Sequence, residues 1–189
     1  PMRRKNELTG SCAIDTTGAG AVRNPIDGVV RALSAGFKGG QWASHIEPVP
    51  IPSKCEIIDL IEQAQRILFP GFFSPVILRP ENLDYHLGQQ VSLFYENLAS
   101  QVSSALRHDC FRHDQNCSFC GERSYQIAAD LIDSLPTIRN LLETDIEATR
   151  TGDPAATNSD EVIFSYPGLF ATMVYRLAHR LHELGVPLV

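Results

Sequence analysis

Cys110-x6-Cys117-x2-Cys120, with His108 and His113 beside it, is the densest set of potential ligands in the chain. A Cys-x2-Cys pair lets two thiolates grip one tetrahedral ion from a tight turn, and Gly121 follows where a turn wants freedom. The third cysteine and either histidine would complete a Cys3His zinc site. The same residues also fit plain reduced thiols, a Cys117–Cys120 redox pair, or an iron–sulfur ligand set lacking its fourth cysteine. The residues alone leave these readings open. Cys12 and Cys55 are isolated and read as incidental.

A second chemical position is Asp153, directly before Pro154. Proline disfavours helical backbone in the residue before it, so Asp153 is expected to be extended at a helix boundary. Its simplest role there is a helix N-cap. Arg150 and Arg176 are expected to pair with Asp145, Glu147 or Glu161, with small energetic weight. His179 and His182 read as packed or partly exposed residues of the last helix, not as catalysts.

The elements that must position these groups are helical. Ser53 or Lys54 opens a helix in which Ile57, Leu60, Ile61, Ala64, Ile67 and Leu68 recur at helical spacing, ended by Phe69-Pro70-Gly71. A long helix is predicted from about Glu81 to Arg107, its apolar stripe running Leu83, Leu87, Val91, Phe94, Leu98, Val102, Leu106. That stripe drifts around the helix and is not a coiled-coil heptad. A third helix is predicted over Glu122–Asp133, with Ile127, Ala128, Leu131 and Ile132 inward. A fourth is expected to be capped by Ser134 and to run to Arg150, with Pro136 in its first turn. Ser159 is expected to cap a short helix, and Pro167-Gly168 to open the last one. That last helix buries Leu169, Phe170, Met173, Val174, Leu177, Ala178, Leu181 and Leu184 and stops at Gly185. No run alternates like a strand. The predicted fold is all-α, a bundle of five to seven helices over 55–189. Residues 1–54 read as a flexible or weakly structured extension, with a helical turn or two near Val29–Leu33.

The 189 residues carry a net charge of -6, which argues against a nucleic-acid-binding or polybasic membrane role. No apolar run approaches the roughly 20 residues of a membrane helix. Arg3, Arg4 and Lys5 are not followed by the apolar core of a signal peptide, so a cytoplasmic location is expected, where stable disulfides are rare. Pro1 precedes Met2, and the chain stops at Pro187-Leu188-Val189, so both ends are expected to be cut.

Four segments then combine: Asp145-Ile146-Glu147-Ala148, Gly152-Asp153-Pro154-Ala155, Asp160-Glu161 through Tyr166-Pro167-Gly168, and Tyr175-Arg176-Leu177-Ala178-His179. In order and spacing they resemble the helical N-terminal domain of bacterial serine O-acetyltransferases. The resemblance is most specific over about 135–189, weaker over 55–134, and absent from 1–54. It implies a left-handed parallel β-helix downstream, carrying the acetyl-CoA site and the catalytic histidine, neither of which is in this chain. It implies that Asp153 helps bind the substrate L-serine, through its ammonium group. It further implies homo-oligomers, trimers or hexamers, and O-acetylserine sulfhydrylase as a partner in cysteine biosynthesis. Beside it stands a non-catalytic reading, a helical oligomerisation or regulatory module with a metal or redox cysteine loop.

Overall fold

The computed structural model describes residues 25–38 and 51–188. Among the described residues seven helices run in order: α1 Pro25–Lys38, α2 Lys54–Leu68, α3 Pro70–Phe73, α4 Pro80–Arg112, α5 Cys120–Gly152, α6 Ser159–Ser165 and α7 Pro167–Glu183. No strand occurs among the described residues. The all-α expectation holds. The chain divides into two units, Pro1–Glu47 and Pro48–Val189. Within the first, α1 is a 14-residue amphipathic helix, longer than the turn or two expected, with Val29, Val30, Leu33 and Phe37 along one side. Cys12 lies outside the described residues.

The second unit is built around two 33-residue helices, α4 and α5, each about 50 Å long at the α-helical rise. They are joined through the short connection 113–119 and pack on one another. Helix α2 lies against α4, and α7 against α5. The α2–α4 pair is antiparallel: the Ser53 N–H donates to Gln101 Oε1 at 2.8 Å at one end, and Asn97 Nδ2 donates to Gln63 Oε1 at 3.3 Å further along. Gln101 also donates to the Glu56 carboxylate, so this buried amide has partners on both sides.

The predicted stripes supply the core. Leu60, Ala64, Ile67 and Leu68 of α2 meet Phe94, Leu98, Val102 and Leu106 of α4, all buried. From α5 come Ile127, Ala128, Leu131, Leu135, Ile138, Leu142 and Ile146, and from α7 Leu169, Met173, Leu177 and Leu181. The amino-terminal part of the α4 stripe is only half-buried, at Leu83, Leu87 and Val91, because α2 covers the other end. Phe170, expected in the buried stripe of the last helix, is exposed.

Two helices predicted over 122–150 are one. Pro136 stands inside α5, although its ring removes an N–H and crowds the preceding turn. The reason is tertiary. Leu131, Leu135, Ile138 and Leu142 carry a buried stripe straight across the proline, and breaking the helix there would expose it. Ser134 caps nothing; its hydroxyl bonds back to the Leu131 carbonyl at 2.6 Å within the helix. Asn158, not Ser159, caps α6, its Oδ1 accepting the Glu161 N–H at 2.8 Å. The stop at Gly185 is as expected: φ is +75°, the Gly185 N–H reaches the His182 carbonyl, and Val186 N–H reaches Leu181. Those two bonds form a Schellman closure, and buried Val186 supplies its apolar contact.

Candidate functional site

Asp153 terminates α5. Its backbone is extended, φ -104° and ψ 111°, as the following proline requires. The N-cap expectation is not met: Asp153 is the C-cap of α5, and its N–H still reaches the Thr149 carbonyl at 2.9 Å. Its side chain folds forward instead. Oδ1 accepts the Ala155 N–H at 2.9 Å, an Asx turn that carries the chain out of the helix. Oδ2 accepts the Tyr166 hydroxyl at 3.1 Å. Each oxygen keeps a further lone pair, so the half-buried carboxylate is oriented without being saturated.

Tyr166 was not singled out by its sequence context as a partner of Asp153. It is 13 residues away, and α6 must double back to bring its ring over the end of α5. Burial first, then the bond to Asp153, raises the Tyr166 hydroxyl above its ordinary value, so it stays a proton donor to the carboxylate. Glu161 completes the corner. Its carboxylate accepts from the Thr157 hydroxyl and from the Thr157 N–H at 3.0 Å, and these bonds hold it below the usual range. The result is a short, hydrogen-bonded loop, 153–158, that holds the half-buried Asp153 carboxylate in place.

Asp145 and Arg176 tie α5 to α7 behind that corner. Arg176 Nε and Nη2 bond the two Asp145 oxygens at 2.9 and 2.7 Å, a bidentate pair only about a quarter exposed. Arg150 pairs with Glu147 within α5, on the surface. His179 is about half exposed, stacks on Tyr175 and faces Glu183 at 3.4 Å. No contact draws it towards Asp153.

The cysteines sit elsewhere, where α4 ends and α5 begins. Cys110 is in the last turn of α4, Cys120 is the first residue of α5, and Cys117 lies between them. All three sulfurs lie within 4.8 Å of one another, and Cys110 and Cys120 are 3.5 Å apart. Asp114, at φ 50°, and the Gln115 N–H bonded to the Cys110 carbonyl at 2.8 Å turn the chain back over the end of α4. Burial, then the Cys117 and Cys110 thiols, push the Cys120 thiol up to about 12. Neither histidine joins the sulfurs. His113 Nδ1 faces Asp109, at 2.9 Å from its carbonyl and 3.3 Å from its carboxylate, and His108 is not among the converging ligand atoms. Cys55 is exposed on α2.

No family model matches the chain. It is 30% identical over 146 residues to a plasmid-encoded serine acetyltransferase of Synechococcus elongatus, covering 74% of this chain and 45% of that protein. Over 48 residues, 25% of this chain and 19% of the relative, it is 48% identical to the serine acetyltransferase of Synechocystis. Among solved structures it is similar to serine acetyltransferase isoform 3 of Entamoeba histolytica, with a TM-score of 0.54 and 24% identity. That match covers 85% of this chain and 51% of the other, and shows the fold. The native isoform 1 from the same organism gives a TM-score of 0.53 at 23% identity, over 87% of this chain and 55% of that one. The chain thus spans about half the length of the relatives that it matches most extensively, and the part matched is their N-terminal helical part.

Proposed function

We propose that this chain is the helical N-terminal portion of a serine O-acetyltransferase, which transfers acetyl from acetyl-CoA to L-serine in cysteine biosynthesis. The observation that carries the reading is the 30% identity over 146 residues to a serine acetyltransferase, with the helical fold in agreement. It favours the enzyme over a free-standing oligomerisation module. In this reading acetyl-CoA is held by the part of the protein outside this chain, together with the histidine that takes the serine hydroxyl proton. The helical bundle contributes to homo-oligomer contacts, in a trimer or hexamer, and supplies one group to the serine pocket. O-acetylserine sulfhydrylase is the partner that would take the product onward, in the cytoplasm. No described helix is long and apolar enough to cross a membrane.

Asp153 is the group supplied. Its carboxylate is partly exposed at the end of α5, and its two oxygens are fixed by Ala155 and Tyr166. A fixed carboxylate suits the serine ammonium, since a charge-assisted hydrogen bond is short and depends on direction. Tyr166 and the Asx turn pre-orient it, so binding does not have to order the side chain.

The test uses the longer protein and measures CoA release against serine concentration. Asp153→Ala is expected to raise the serine KM roughly tenfold or more, the worth of a hydrogen bond to a charged group, with the helical circular dichroism unchanged. A serine dependence identical to wild type removes Asp153 from the pocket. Absence of any serine-dependent CoA release in the wild type overturns the enzyme reading.

A further inference from the structure

We propose that Cys110, Cys117 and Cys120 form a binding site for a single thiophilic divalent cation of the zinc class, with three thiolate ligands and the fourth position open to solvent. This stands apart from the acetyltransferase reading and uses none of its residues.

The geometry carries it. A tetrahedral zinc with Zn–S bonds of about 2.3 Å holds neighbouring sulfurs about 3.8 Å apart. Here three sulfurs already sit within 4.8 Å of one another, one pair at 3.5 Å. Rigid elements hold two of them. Cys110 is fixed by the last turn of α4 and Cys120 by the first turn of α5. Cys117 lies in the connection between them and is exposed. A preformed pair with an exposed third ligand gives an ion both an entry path and a site.

The set is chemically selective. Three sulfur donors without a clustered carboxylate disfavour magnesium and calcium, which take oxygen ligands, and favour zinc. The histidines do not supply the fourth ligand: His113 is engaged by Asp109, and neither imidazole is among the converging atoms. A water molecule therefore completes the tetrahedron. On binding, each thiol releases its proton to solvent as its sulfur bonds the metal; no electron is transferred. The ion would clamp the carboxyl end of α4 to the amino end of α5, where the connection 113–119 joins the two longest helices.

The experiment titrates tag-free, reduced, metal-stripped protein with Co2+, followed by displacement with Zn2+. One equivalent of Co2+ is expected, with thiolate-to-cobalt charge-transfer absorption in the near ultraviolet and the strong visible bands of a tetrahedral ion. Cys117→Ser, at an exposed position that leaves the core intact, is expected to weaken zinc binding by about 100-fold or more. Cys110→Ser should do the same, and Cys55→Ser should leave it unchanged. No stoichiometric uptake overturns the site, as does uptake that survives Cys117→Ser. Formation of a Cys110–Cys120 disulfide while added metal is ignored overturns it in favour of redox chemistry. Loss of binding in His113→Ala overturns the open fourth position.

Discussion

At the residue scale, the ion pairs are not equivalent. Arg150–Glu147 is a surface pair within one helix, whereas Arg176–Asp145 is bidentate, partly shielded and joins two helices. The sequence suggested both as pairs of small weight, but the shielding of the second changes its worth. A double-mutant cycle on Arg176→Ala and Asp145→Ala should give a coupling of about 1 kcal/mol in chemical denaturation, at the upper end for such pairs. A coupling indistinguishable from zero would show that solvent screens it fully. Glu161 yields a pH prediction. The folded chain holds its carboxylate below the ordinary range, first through the Thr157 hydroxyl and then the Thr157 N–H. A depressed folded value adds stability above the unfolded carboxylate pKa, and that contribution disappears as pH falls through the folded value. Glu161→Gln should therefore flatten the acid limb of the stability profile below the carboxylate range and leave the slope near neutrality unchanged. An acid limb as steep as wild type would count against the Thr157 bonds.

At the scale of elements, α5 shows how packing overrules local preference. Proline in a helix interior costs about 3 kcal/mol. The helix continues because Leu131, Leu135, Ile138 and Leu142 stay buried together only if it does. Pro136→Ala restores a backbone donor but also releases the unfolded chain from the ring's constraint. The net effect expected is a stabilisation of about 1 kcal/mol by urea unfolding, with no loss of helix content. A destabilised variant would mean that the ring's own packing against its neighbours outweighs the missing bond. The corner at Asp153 teaches the complementary lesson. Pro154 set the extended backbone locally, but only the path of α6 brought Tyr166 to the carboxylate.

At the scale of the molecule, one core in the second unit joins α2, α4, α5, α6 and α7 among the described residues. Leu142 is completely buried in this core. Leu142→Ala is expected to cost about 3–4 kcal/mol and to lower the thermal midpoint of the bundle as a single cooperative transition. A loss below about 1 kcal/mol would show a core looser than its burial indicates. The same core positions both chemical sites, and Cys120 is itself buried in it. Asp153 lies where α5 leaves it, and the cysteines lie where α4 and α5 are joined.

The helical class, the apolar stripes, the Gly185 stop, the extended Asp153 and the likeness to serine acetyltransferases were all legible in the order of residues. Those features rest on short-range physics: 3.6-residue periodicity, proline's restriction of its neighbour, and glycine's access to positive φ. Tertiary structure decided what depends on distant neighbours. It kept α5 whole through Pro136, exposed Phe170, and paired Arg176 with Asp145 across 31 residues. It also gathered three sulfurs while leaving His108 and His113 out of the cluster. The spacing of Cys110, Cys117 and Cys120 made convergence achievable, but which side chains met was fixed by how two long helices are joined.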